Sequence, residues 1–140
     1  MNPIVEFSNQ RKVTREFFGT ADEATSLTSA WMNFAQANKY SYQFDWLSRP
    51  IIQYPQDIVA MQEIIWRVKP DLIIETGIAH GGSLIFSASM LALLDLNDAI
   101  ERGETIDPKK SYRKVLGVDI DIRQHFVSCF LFLRIDHQCQ

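Results

Sequence analysis

Cysteine is scarce in this chain: two residues in 140, Cys129 and Cys139, both near the C-terminus. They allow one disulfide but exclude the cysteine framework of a small stapled secreted domain. Long apolar runs are also missing. None approaches the roughly 18 to 20 residues that cross a bilayer, so no membrane span is expected. Residues 1–10 lack a basic region followed by an apolar run, so no signal peptide is expected and a cytoplasmic location is the default. A basic stripe is absent as well. Lysine and arginine number 14 against 17 acids, a net charge of −3, which excludes a general nucleic-acid surface. The basic residues gather only at Lys109-Lys110 and Arg113-Lys114, which reads as a solvated loop.

What remains is globular in composition, 46% apolar and 22% charged, enough for a hydrophobic core. Two regions are expected: an N-terminal helical cap over residues 1–49 and a ligand-binding domain over 50–140. Residues 1–20 are mixed and give no sharper reading. From Asp22, a candidate cap, Ala24, Leu27, Trp31 and Phe34 recur at helical spacing, and the helix should fade near Asn38-Lys39. Tyr40 to Leu47 alternates aromatics in the manner of a short extended segment. Ser48 to Pro55 reads as a loop because two prolines disfavour both helix interior and central strand. Pro55 then opens a helix with its stripe at Ile58, Met61, Ile65 and Val68, and Lys69-Pro70 ends it.

The organising stretch follows: Asp71-Leu-Ile-Ile-Glu75, then Thr76-Gly-Ile-Ala-His-Gly-Gly-Ser83, then an apolar helix over Leu84 to Leu96. Strand, glycine turn and helix in that order mark the place where α/β proteins hold a ligand. Asn97 to Tyr112 reads as an exposed connection. Lys114 to Asp119 is a second apolar run ending in an acid, expected to lie parallel to the first because a helical crossover separates them.

The spacing of the turn excludes two phosphate loops. A P-loop needs Gly-x-x-x-x-Gly-Lys-Ser/Thr, and the dinucleotide fingerprint needs Gly-x-Gly-x-x-Gly. Here the pattern is Gly77-x-x-x-Gly81-Gly82. The charge agrees, since Glu75 at the head of the turn would repel a pyrophosphate and favour a cationic centre such as a sulfonium. Gly77, Gly81 and Gly82 permit close backbone approach, Ser83 can add a hydroxyl, and Asp119 stands where a carboxylate can accept from ribose hydroxyls. Blander roles stay open. Glu75 can brace the turn, Asp119 can cap a helix in competition with Asp121, and His80 can be an ordinary loop residue rather than a base or ligand contact. Gln53 and Tyr54 could lean over the site.

Pro50 to Asp57, Lys69 to Ser83 and Val115 to Arg123 resemble the cephalosporin hydroxylase / rhamnosyl O-methyltransferase family over roughly residues 20 to 123. The resemblance implies an α/β, Rossmann-like class I methyltransferase sandwich, here incomplete, with N-terminal helices and the first two parallel strands. It implies S-adenosylmethionine as cofactor, with Glu75, Gly77, Ser83 and Asp119 as contacts by position; His80, Gly81 and Gly82 of the same turn complete the expected cofactor site. It also implies a magnesium site whose ligands are not found in this sequence. The acceptor would be a hydroxyl of a small molecule, sugar or lipid, which brings lipid biosynthesis within range, and a homo-oligomer is compatible with the family.

Beyond Arg123 the pattern changes. His125 to Ile135 is apolar with no polar face, and residues 124–140 match no part of the expected fold. They read as the product of a frameshift or a premature end. Two functions are therefore expected to compete: a methyltransferase, and a non-catalytic remnant or partner-dependent subunit keeping only the cofactor loop.

Overall fold

The computed structural model describes residues 2–107, 109 and 111–120. The expected helix start at Asp121, the apolar tail and both cysteines lie outside them. The chain divides into two units, one from Met1 to Tyr40 and one beginning at Ser41.

The first unit is two helices, α1 (Pro3–Thr20) and α2 (Asp22–Ala37). α1 forms where composition alone gave no reading. The Asn2 side chain accepts from the Ile4 N–H at 3.0 Å, and Pro3 fills a first-turn position where a missing N–H costs nothing. Ala21 is the N-cap of α2, so Asp22 is not its cap but an acid in the first turn, facing the positive end of the helix dipole. α2 ends as expected, with Asn38 as C-cap. Its apolar stripe is not buried, however. Leu27, Trp31 and Phe34 stay exposed, and Ala35 is the one buried residue among those described in this unit.

The second unit contains β1 (Phe44–Trp46), β2 (Arg49–Ile51), α3 (Pro55–Val68), β3 (Leu72–Thr76), α4 (Gly82–Arg102) and β4 (Lys114–Val118). It is mixed α/β, as expected. β1 and β2 form an antiparallel hairpin in which Phe44 faces Ile51 and Trp46 faces Arg49. A loop was expected over Ser48 to Pro55, yet Pro50 lies within β2. The two-residue turn makes Trp46 and Arg49 the closing pair. Alternation then puts Pro50 opposite Asp45 at a position that makes no ladder hydrogen bond, so its missing N–H is harmless. The hairpin packs with the second unit, which moves residues 41–49 out of the N-terminal region assigned to them by composition.

β3 and β4 pair in parallel, with Leu72 opposite Lys114 and Thr76 opposite Val118. α4 covers one face of the pair. Leu84, Phe86, Met90, Leu91 and Leu94 make a core with Ile51, Ile65, Ile78 and Val115. On the other face Leu72, Ile74 and Val118 are exposed. Of the α3 stripe, Ile65 is buried while Met61 and Val68 remain open to solvent.

α4 runs well past Leu96, into the segment expected to be a connection. Asn97 donates to Glu101 one turn on, at 2.8 Å, and Gly103 ends the helix in the left-handed region. The Glu104 N–H then reaches the Ala99 carbonyl at 2.9 Å, which satisfies a terminal acceptor. At 21 residues α4 is long and apolar enough, by length and composition, to cross a bilayer. Its buried face builds the core of this unit and its far half carries Asp95 and Asp98, ion-paired to Arg113, so it reads as a core helix. Arg113 itself departs from expectation. Its side chain is 4% exposed, not part of a solvated loop, because two carboxylates of α4 draw it inward.

Candidate functional site

Alternation along β3 puts Ile73 and Glu75 on the side of α4 and Leu72, Ile74 and Thr76 on the other. The acid at the strand's end therefore turns toward the helix that follows the turn. It meets Ser83 there: the Ser83 hydroxyl donates to Glu75 Oε1. Burial pushes the Glu75 carboxyl above its ordinary value, and the Ser83 hydrogen bond offsets part of that rise. The site thus keeps a half-buried acid whose charge is incompletely compensated by the groups that hold it.

The turn itself is fixed from the neighbouring strand. Gly77 donates its N–H to the Val118 carbonyl at 2.9 Å, extending the parallel ladder one step beyond β3. The Ile78 N–H donates to Asp119 Oδ2 at 2.7 Å. Gly81 N–H closes back on the Ile78 carbonyl at 2.7 Å. Gly77, Ala79 and Gly81 all take positive φ, at 77°, 43° and 78°. At Gly77 and Gly81 glycine adopts this without penalty, whereas Ala79 carries a side chain into it.

The glycines have different surroundings. Among the described residues nothing lies within 4 Å of a Cβ built on Gly77, so none of them fills the space over this peptide. A Cβ on Gly82 would lie 2.3 Å from the Pro50 carbonyl oxygen, so this residue is glycine because the β2 backbone rests on it. Gly81 is the N-cap of α4. His80 lies exposed at the apex. Gln53 donates its N–H to the Ser41 carbonyl at 3.1 Å, and the Tyr54 carbonyl accepts from Asp57 at 2.9 Å as the N-cap of α3.

Of the residues singled out by sequence, Glu75 and Ser83 are joined directly, and Asp119 grips the turn through Ile78. Sequence reasoning passed over Ile78 and Gly117. The Ile78 side chain is buried, and a Cβ at Gly117 would come within 2.8 Å of both Ile78 Cγ2 and Leu84 Cδ1. The strand-interior glycine was the available signal, since glycine in a strand marks a close approach. Trp46, Pro50 and Ser89, which bind the hairpin to α4, carried no such signal.

Among the described residues no group of three or more His, Cys, Asp or Glu side chains converges as a metal site would require. The described residues do not assemble a magnesium site, and no step is assigned to one.

Residues 38–129 match the model of the rhamnosyl O-methyltransferase/CmcI family, well over half of the chain. The match begins later than the resemblance suggested and continues past Arg123, where the sequence was expected to part from the family. No curated protein and no solved structure matches the chain.

Proposed function

Because the chain belongs to the rhamnosyl O-methyltransferase/CmcI family, we propose that it binds S-adenosylmethionine at the turn between β3 and α4 and transfers its methyl group to a hydroxyl. The reading places β3, α4 and β4 in the sheet-and-helix layers of a Rossmann-like methyltransferase. One observation carries it: Glu75, half-buried with its carboxyl pushed upward by burial, stands at the head of a turn whose Gly77 is crowded by none of the described residues. A cationic ligand relieves the burial of a carboxylate, whereas a phosphate would aggravate it.

The bound cofactor supplies an electrophilic methyl on a sulfonium. The chain's own part is to bind and orient. Glu75 supplies negative charge on the cationic side. The first-turn N–H groups of α4 supply partial positive charge, suited to the cofactor's carboxylate. Asp119 engages Oδ2 with Ile78 and follows directly on the carboxyl end of β4, the place from which a carboxylate can accept from a ribose hydroxyl. No described residue is assigned as the base that removes the acceptor's proton. The acceptor class in this reading is the hydroxyl of a sugar, a lipid or another small molecule.

Calorimetric titration with S-adenosylmethionine tests the reading directly. Saturable binding that weakens in Glu75→Gln supports it. Absence of binding up to millimolar cofactor would refute it, and would favour a role in which the turn is kept without the reaction.

A further inference from the structure

We infer that the β1–β2 hairpin sets the position of the cofactor turn, with Trp46 as a positioning residue that acts through α4; the inference rests on the S-adenosylmethionine reading of that turn. Three contacts carry it, all on one face of α4. At the helix start, Pro50 and Ile51 lie directly on Gly82, with the Pro50 carbonyl oxygen and the Ile51 Cα occupying the space of a side chain, 2.3 and 2.8 Å from an ideal Cβ. One turn on, the Trp46 ring stands edge-on to Phe86, with centroids 4.9 Å apart and planes at 88°. One turn further, Trp46 Nε1 donates to the Ser89 hydroxyl oxygen at 3.1 Å, while that hydroxyl donates to the Phe86 carbonyl at 2.7 Å.

Positions 82, 86 and 89 recur at helical spacing, so the hairpin grips a single stripe of the helix that presents the turn. Ile51, 2% exposed, joins Leu84 and Phe86 in the core and closes the grip from below. The opposite side of the same stretch rests on β4, where Gly117 admits Ile78 and Leu84. The first turn of α4 is therefore held between two surfaces, the sheet and the hairpin, and the Gly77 peptide beside it is bonded to Val118. Because Gly82 has no side chain to buffer a shift, movement of the Pro50 backbone passes directly to the helix start. Preorganised donors gain their effect from being fixed before the ligand arrives, and a loosened hairpin would forfeit part of it.

The test measures S-adenosylmethionine affinity by calorimetry, and melting separately, for the parent, Trp46→Phe, Ser89→Ala and the double variant. Neither residue belongs to the turn. Each single variant is expected to weaken binding about fivefold, the effect of losing the Trp46–Ser89 bond; the Ser89 bond to the Phe86 carbonyl, lost only in Ser89→Ala, lies within α4. The double variant should weaken it by about the same factor, because both changes delete the same bond. Ser89→Ala removes only a hydroxyl and carries the test if Trp46→Phe does not fold. Affinity within about twofold of the parent in Ser89→Ala, alongside a lowered melting temperature, would make the hairpin a stabilising element only and overturn the inference. A parent that gives no binding heat overturns the cofactor reading and the inference together.

Discussion

The hydroxyl of Ser83 donates to the carboxylate of Glu75, joining the first turn of α4 to the last residues of β3 across the glycine turn. The contact has two effects on one group. It supports the charged form of an acid whose burial opposes that charge, and it commits the Ser83 hydroxyl proton to Glu75.

Glu75 therefore sets stability against binding. Its folded-state value is raised above 4.5, so the protonated form suits the folded protein better. This contribution to stability is fully present below the ordinary carboxylate value and is lost as pH rises through the raised one. Glu75→Gln, which is neutral at every pH, is expected to melt higher than the parent at neutral pH and to lack its decline across that window. The same variant should bind S-adenosylmethionine about tenfold or more weakly, since a charge-assisted contact is lost. Melting scans from pH 4 to 8 and calorimetry at pH 7.5 check both halves. A variant that neither gains stability nor loses affinity would separate Glu75 from the site.

Asp119 is open to a finer dissection than deletion. Asp119→Asn keeps an oxygen to accept from the Ile78 N–H and removes the negative charge, whereas Asp119→Ala removes both. The alanine variant should lose about 1 to 2 kcal/mol of stability as the turn is released. The asparagine variant should stay near the parent in stability and lose part of its cofactor affinity. Denaturant unfolding with calorimetry distinguishes them, and equal affinity in all three proteins would confine Asp119 to bracing the turn.

Much of this geometry was legible in sequence because it is local. An apolar run ending in Glu75, a glycine turn and an apolar helix are written consecutively, and the parallel pairing of β3 with β4 follows from the crossover between them. Relationships across the chain were less accessible. Pro50 argued against a strand until its partner Asp45 fixed its place in the ladder, and Arg113 read as a solvated loop residue until α4 brought Asp95 and Asp98 beside it. The glycines at 77 and 82 look alike in the motif, yet one is crowded by none of the described residues and the other faces a carbonyl oxygen. Only packing separates those roles.

Gly82→Ala tests that distinction. The added methyl would press on the backbone of Pro50, which cannot swing aside as a side chain end could, so the cost should reach about 2 to 3 kcal/mol. At Gly77 none of the described residues stands in the way, and alanine would suffer mainly from the positive φ, about 1 to 2 kcal/mol. Denaturant unfolding of the two variants should rank Gly82→Ala as the more damaging. A reversed ranking would mean the hairpin yields at Pro50.

Arg113 offers a change remote from the turn, at the amino end of β4 where the site lies beyond the carboxyl end. Its guanidinium donates to Asp95 and, at 2.6 Å, to Asp98, with Ser111 also donating to Asp95. Arg113→Ala takes the main cation from Asp95 and Asp98, and only Lys69, 3.9 Å from Asp98, stands in for it. Unfolding should become easier, while cofactor affinity in the folded fraction at low temperature should stay close to the parent's.

The hairpin turn is the place where the fold can be improved. Leu47 and Ser48 both take positive φ, 48° and 66°, as a two-residue turn of the mirror-image type demands. Neither residue favours that region, and Leu47 is 71% exposed, so it gains little burial in return. Replacing the pair by Asn-Gly, the sequence this turn prefers, should stabilise the chain by about 1 to 2 kcal/mol. The change lies next to Trp46 but leaves its bond to Ser89 in place. Cofactor affinity should therefore hold or improve while the melting temperature rises. A drop in affinity at raised stability would mean that Leu47 is kept, despite its strained backbone, for a contact with a ligand or partner.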